Sequence, residues 1–369
     1  MSGRLAGVLF AIATTLRADT IGTVTVSKPF FNPSLGQHIA ITFAPTAPGE
    51  LTAVILDRDG YPVRTLLTRR PITAGHFSLD WDGRDDHNTV VPDEAYSLKL
   101  SLTTGGSTSS YFPAQAPAKH FSVTQGIYDR RSAVFSYRLP AAARIHIQAG
   151  TATLDQSGMA HGPVLKTLVN REPRPAGAVI ETWNGMDENG NAYVPDLPHF
   201  MTAIAGTTLP ENALITIGNR ATAFVAHAAT RTGTSLLAPA RPGHEHHAGL
   251  TTLQDVAPSL HTTVRQATWS AIERVWQPHN NHLPVTYALE GPSATTFAQE
   301  PAELFVFIDR RKVRTIKAPT PGTLTIPLQG LTPGTHLLAL NWTSKYGPVA
   351  VSTLRFRTGP APSVRTAAH

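Results

Sequence analysis

Two acidic stretches and one histidine cluster are the places where residue type and spacing could do chemistry. Leu79 to Asp86 reads LDWDGRDD, with four carboxylates around Trp81. Asp187 to Asn191 reads DENGN and follows Trp183, Asn184 and Gly185 closely. His244-Glu245-His246-His247 groups three imidazoles with a carboxylate. Clustered carboxylates suit calcium binding or acid–base catalysis. Imidazoles beside a carboxylate suit Zn²⁺, Cu²⁺ or Ni²⁺.

Spacing argues against the sharper readings. A calcium loop of the helix-loop-helix type closes with a glutamate at its twelfth position. Counting from Asp80, that position is Val91, and DENGN has no closing glutamate either. An irregular calcium cage from Asp82, Asp85, Asp86 and Asn88 stays open as an alternative. The histidines do not form H-E-x-x-H, in which two imidazoles share a helix face. They lie in Ala226 to Leu250, a stretch rich in Ala, Thr, Pro, Gly and His without period, which reads as a linker. Zinc or another metal at His244, His246 and His247 is therefore a secondary reading. His261, His279 and His282 read as surface residues. No G-x-S-x-G elbow, P-loop or dinucleotide fingerprint is present.

The structural reading of the acidic stretches rests on a repeat. Trp81, Gly83 and Asp85 recur as Trp183, Gly185 and Asp187, 102 residues later. Thr65-Leu66, Pro71 and Ala74-Gly75 recur at the same offset as Thr167-Leu168, Pro173 and Ala176-Gly177. Val91-Pro92-Asp93 returns as Val194-Pro195-Asp196 after one inserted residue. A period near a hundred residues is the size of a whole β-sandwich. A duplicated module repeats its folding determinants, whereas an active site is needed once. Trp81 and Trp183 should each end a strand over one end of a core. Asp82 and Asn184 should accept backbone N–H bonds as Asx turns do. Gly83 and Gly185 should relieve the tight backbone, and Asp85-Asp86 and Asp187-Glu188 should sit exposed in a turn between two strands.

The elements around these corners are strands. ELTAVIL, from Glu50 to Leu56, alternates apolar and polar residues as a half-buried strand does. Thirty prolines and 28 glycines in 369 residues suit short strands and frequent turns. A fainter third copy is expected at Leu283 to Ile316, with LTPGTHLLALNW (Leu331 to Trp342) parallel to ITAGHFSLDW (Ile72 to Trp81). That alignment puts Trp342 in the place of Trp81. Thr263 to Gln277 fits a short helix with Trp269, Ile272 and Trp276 on one face, or a strand.

These observations predict an all-β chain of three tandem immunoglobulin-like or fibronectin-like sandwiches. The expected boundaries are a signal peptide at 1–18, sandwiches at 19–104, 125–218 and 263–358, linkers at 105–124 and 219–262, and a loose tail at 359–369. The first two sandwiches should form a semi-rigid rod, and the second linker should let the third swing. The signal peptide rests on Arg4, the apolar run Leu5 to Leu16 and Ala18 before Asp19. That run is too short to span a membrane. The absence of cysteine excludes disulfides, a thiol nucleophile and thiolate metal sites. A net charge of +6 is spread along the chain, without the concentrated basic element of a nucleic-acid reader.

Val63-Arg64-Thr65-Leu66, Ala74-Gly75, Trp81-Asp82-Gly83-Arg84-Asp85, Val91-Pro92 and Tyr96 together resemble the immunoglobulin-like domain of the flagellar hook-capping protein FlgD. The second copy departs at Lys166, Asn184, Met186 and Phe200. The resemblance implies a fold, and this fold serves many functions. The expected function is a secreted, non-enzymatic structural, adhesive or assembly component, periplasmic or at the cell surface. Its partners would be other envelope or filament proteins, or further copies of itself through edge strands. Two alternatives are a carbohydrate-binding accessory protein using Tyr111, Phe112, Trp269, Trp276 or Trp342, and an envelope metal-binding protein using the histidine cluster.

Overall fold

A computed structural model describes residues 20–123, 126–154, 160–237, 258–291, 294–299, 301–344 and 349–359. The expected signal peptide, the His244, His246 and His247 cluster and the tail beyond Gly359 lie outside the described residues. Among the described residues the chain is nearly all strand. Its α-helices are Phe224–Ala228 and Ala294–Gln299, and neither is long and apolar enough to cross a membrane.

Alternation builds the first core. In Gly49–Leu56, Leu51, Ala53 and Ile55 point to one face and are fully buried. Leu98, Leu100 and Leu102 do the same in Ala95–Thr104. Gly49–Leu56 pairs with Pro62–Ile72 and Ala95–Thr104, which also pairs with Ser107–Tyr111. This sheet faces another made of Thr25–Val26, Ile39–Phe43 and Phe77–Trp81, and Ile39, Ile41, Leu79 and Trp81 close the core from that side. The second sandwich packs Ile127–Asp129, Val134–Leu139 and Gly177–Thr182 against Val164–Arg174, Ala143–Thr151, Phe200–Thr208 and His120–Ser122. The third packs Ser259–Val264, His282–Glu290 and Gly322–Pro327 against a six-stranded sheet. Face-to-face packing of two antiparallel sheets is the immunoglobulin-type architecture.

Three placements differ from the sequence reading. First, Trp342 is not the third copy of Trp81. Its strand Gly334–Ser344 lies between Ala302–Ile308 and Val349–Thr358 in the six-stranded sheet. The strand placed like Phe77–Trp81 is Gly322–Pro327, which pairs with His282–Glu290 as Phe77–Trp81 pairs with Ile39–Phe43. A Gly-containing turn before an apolar strand occurs more than once per sandwich, so the local match fell one strand out of step. Second, Thr263 to Gln277 takes the strand alternative and not the helix: Val264 ends the strand Ser259–Val264, and a hairpin follows. Ala267–Ser270 pairs with Val275–Pro278, Trp269 faces Trp276 with ring centroids 5.2 Å apart, and Ile272 is at the exposed tip.

Third, the described parts of the segments read as connectors belong to the sandwiches. Ser107–Tyr111 is an outer strand of the first and His120–Ser122 of the second. After the second sandwich the chain returns. Leu214–Thr216 pairs antiparallel with Tyr96 and Ala95, and parallel with Phe30–Phe31. The second sandwich is thus inserted between two strands of the first. Arg231 then binds Asp57 and Asp59 at 2.8 and 2.7 Å, and Leu236 N donates to Gly60 O at 2.8 Å.

The seams are packed. Between the first two sandwiches, Glu94 accepts from Arg58 Nη1 at 2.9 Å and from Arg144 Nη1, and all three side chains are at most 5% exposed. Glu94 Oε1 also accepts from Ala95 N at 2.6 Å, and Ala95, Leu209, Ala213 and Ile215 form an apolar cluster there. Arg58 stacks over Phe224 at 4.0 Å. Between the second and third, Leu165, Trp183 and Val194 pack on Phe307, Leu337 and Ala339. The buried Asn341 amide accepts from Val164 N at 2.9 Å and donates to Val164 O at 2.8 Å. The third sandwich is therefore docked, contrary to the expectation that it swings. Truncating a buried, doubly paired carboxylate strands two buried guanidinium groups. Glu94→Ala should cost about 3–5 kcal/mol in chemical denaturation.

Candidate functional site

The acidic corners are built from their own backbone. The strand Phe77–Trp81 ends with the Trp81 ring fully buried, between Phe31 at 5.6 Å and Tyr96 at 5.2 Å. Its indole N–H donates to Arg84 O at 3.0 Å. Asp82 Oδ1 accepts from Arg84 N at 3.0 Å, closing an Asx turn. Gly83 has φ +72°, and a Cβ there would sit 2.3 Å from Pro33 Cγ. Asp85 Oδ1 accepts from His87 N and Thr89 N at 2.9 and 2.8 Å. Asp86 Oδ1 accepts from Thr65 N at 3.0 Å. Tyr96 Oη donates to Pro92 O at 3.0 Å and locks the start of the next strand. Burial, with Glu94 and Asp57 nearby, holds the Tyr96 phenol well above its ordinary pKa.

The second corner repeats this pattern. Trp183 Nε1 donates to Met186 O at 2.9 Å, and Asn184 Oδ1 accepts from Met186 N at 3.0 Å. Gly185 has φ +78°, and a Cβ would meet Tyr193 at 2.1 Å. Asp187 is buried rather than exposed as expected, because its Oδ1 turns inward to accept from Asn191 N at 2.7 Å, and that burial raises its carboxyl pKa. One difference carries a role that sequence reasoning missed. The tip of this turn holds the third sandwich: Asn189 Oδ1 accepts from Thr353 N at 2.7 Å, and Asn191 Nδ2 donates to Thr353 O at 2.9 Å. The equivalent tip of the first corner, His87-Asn88, is exposed.

Carboxylates already accepting backbone N–H bonds have fewer free lone pairs for an ion. Among the described residues no three His, Asp or Glu side chains group as a metal site. Of the four residues of the irregular cage, Asp82, Asp85 and Asp86 each accept a different set of backbone N–H bonds. One other trio has a familiar chemistry: His336 lies between Asp309 Oδ2 at 3.0 Å and Thr358 Oγ1 at 3.2 Å. Thr358 Oγ1 donates to Thr332 O at 2.7 Å, so its proton points away from the imidazole. His336 Nε2 also lies 2.8 Å from Thr332 O. A nucleophile needs its proton aimed at its base, and here the trio instead ties together the ends of three neighbouring strands, Ala302–Ile308, Gly334–Ser344 and Val349–Thr358.

Of the candidate platform residues only Trp269 and Trp276 come together, as the pair on the hairpin of the third sandwich. Trp342 is fully buried, and Tyr111 packs on the first core with its hydroxyl accepting from Asn212 Nδ2 at 2.9 Å. Phe112 lies under Lys99, and Trp276 is half-buried against the third core. Trp269 is 43% exposed on its hairpin.

The first corner, its two sheets and the Tyr96 lock define an immunoglobulin-like module. Residues 33–106 match the family model described as FlgD Ig-like domain. "Basal-body rod modification protein FlgD" of Salmonella typhimurium is 33% identical over 78 residues, which are 21% of this chain and 31% of that protein. Its Escherichia coli K12 namesake is 31% identical over 106 residues, 29% of this chain and 39% of the relative. The chain thus spans about a third of the length of the curated relatives it matches. Among solved structures, the tetra-tandem repeat in the extending region of a large adhesion protein aligns over 92% of this chain and 74% of that one. It does so at 12% identity, with a TM-score of 0.18. The extracellular domain of a putative hybrid two-component system from B. thetaiotaomicron aligns over 87% of this chain and 43% of that one, at 10% identity and a TM-score of 0.21.

Two predictions follow from this chemistry. Gly83→Ala must hold a left-handed backbone and displace Pro33, so it should lose about 1–3 kcal/mol or more in urea unfolding. The second concerns Asp57, whose Oδ1 caps Asp59 N and Tyr61 N at 2.9 and 3.0 Å. Burial pushes its pKa up to about 6, against the opposing pull of Arg231. A carboxyl raised on folding contributes stability that is present below its unfolded pKa and lost as pH rises through 6. Relative to Asp57→Asn, the natural protein should therefore lose about 2 kcal/mol between pH 4 and 7, read from denaturation at each pH.

Proposed function

We propose that this chain is a non-enzymatic structural or assembly component that works outside the cytoplasm, in the cell envelope or an extracellular filament. It binds proteins by presenting its sandwiches in a fixed arrangement. The observation that carries this reading is the use of the polar groups. Carboxylates that could have served catalysis accept backbone N–H bonds in the two corners, or, as with Glu94, clamp two sandwiches together. The relatives named basal-body rod modification proteins support an assembly role, through a shared module rather than a shared whole chain. We extend the module to the second corner, whose hydrogen bonds follow the first, and we keep the Leu5 to Leu16 segment as a secretion signal.

The test is cell fractionation followed by crosslinking in intact cells. The protein should leave the cytoplasm and sediment with a larger protein assembly after crosslinking. Recovery as a free cytoplasmic monomer sinks this reading. Retention on purified polysaccharide with no co-sedimenting protein would favour the accessory role instead.

A further inference from the structure

Sheet edges on this protein differ in how they are guarded. Pro62–Ile72 carries Arg64, Arg69, Arg70 and Pro71. Val164–Arg174 carries Lys166, Arg171 and Arg174, and Arg311–Lys317 carries four basic residues. Charges and prolines on an edge discourage another strand from adding to it. Gly177–Thr182 is also an outer strand, in the three-stranded sheet of the second sandwich. Its sequence, GAVIET, has no lysine, arginine or proline.

Register fixes what this edge offers. Trp183 N donates to Ala133 O, and the opposed pairs continue from Thr182 with Val134 to Gly177 with Leu139. Hydrogen-bonded pairs alternate along an antiparallel ladder. Gly177, Val179 and Glu181 therefore bond to the neighbouring strand. Ala178, Ile180 and Thr182 turn their N–H and C=O groups to the open side. The side chains of these three are exposed, Ile180 at 66%.

That open side borders a cleft of about 790 Å³ between the first and second sandwiches. Across it, Phe30 is 42% and Ile217 39% exposed. The cleft's charges nearly balance. Arg174 is bound by Glu172 and Glu181, and Arg220 lies 4.0 Å from Asp93. The site therefore offers backbone groups and apolar surface rather than a field for a charged ligand. The Glu94 clamp fixes its walls. The chain already uses the same device on itself, where Leu214–Thr216 adds to the end of Ala95–Thr104.

We propose that this cleft takes an extended, apolar segment of a partner protein, which adds as a new outer strand to Gly177–Thr182. Its backbone pairs with Ala178, Ile180 and Thr182, and its alternate side chains cover Ile180, Phe30 and Ile217. This inference rests on the reading that the chain's partners are proteins.

The test uses the full chain and a displayed library of nine-residue peptides selected on it. Ile180→Pro removes the outward N–H without touching the ladder to Val134–Leu139, a place where an edge strand tolerates proline. Ile180→Lys keeps the N–H and adds a guarding charge. Ile272→Lys, at the tip of the Trp269 hairpin, is the control. Enriched peptides should alternate apolar residues and bind the natural protein and the control equally. They should lose about tenfold or more in affinity for both Ile180 variants, each shown folded by an unchanged thermal melt. Equal affinity for the folded Ile180 variants, or no enriched peptide, overturns the proposal. Concentration-dependent self-association that disappears with Ile180→Pro would assign the edge to a second copy of this chain, and also overturns it. In either case, continued sedimentation with a larger assembly leaves the broader function standing, whereas its absence in the natural protein removes that too.

Discussion

One buried carboxylate organises the relation between the first two sandwiches. Glu94 immediately precedes the strand Ala95–Thr104, which carries Tyr96, Leu98, Leu100 and Leu102 into the first core, and it is held by a guanidinium from each sandwich. Removing three charged groups from water is costly, and only close mutual contact offsets the cost. Such a cluster tolerates little displacement, so it specifies position more than it adds stability. The Leu214–Thr216 strand beside it depends on the same placement, because Glu94 N donates to Thr216 Oγ1 at 3.1 Å. The cleft beside Gly177–Thr182 exists because these walls are set.

The corners show how one local solution serves two ends. In both, an indole N–H, an Asx side chain and a glycine at positive φ close a turn over the end of a core. In the first, the tip is exposed. In the second, Asn189 and Asn191 occupy the tip and reach Thr353 of the third sandwich. Asparagine side chains bond well to backbone groups, which is why a small change at a turn tip converts a folding element into a docking element.

The all-β architecture and both corners were legible in the sequence because their signals are local. Alternation in Glu50 to Leu56, the Trp-Asp-Gly and Trp-Asn-Gly turns and the glycines needing positive φ each report on a few consecutive residues. The matches spaced 102 residues apart then tied the two corners together. What stayed hidden depends on distant partners. Glu94 follows the repeated Val-Pro-Asp, but Leu197 follows the second copy, so comparison of the copies passed over it. Arg144 and Arg58 carry no pattern that names their partner. Leu214–Thr216 is too short for periodicity, and its pairing with Ala95 and Tyr96 spans more than a hundred residues of chain. The alignment of Trp342 with Trp81 fell one strand out of step, because the turn-and-strand pattern recurs within a single sandwich.

Insertion of one sandwich between two strands of another also sets how this chain would bear tension. The entering strand Phe30–Phe31 and the departing strand Leu214–Thr216 run parallel and side by side. A pull on the two flanking stretches of polypeptide loads their hydrogen bonds in shear, all together, rather than peeling them one at a time. Force travelling along the chain crosses at that junction and bypasses the backbone of the inserted sandwich. The inserted unit can keep its contacts while its host carries the strain.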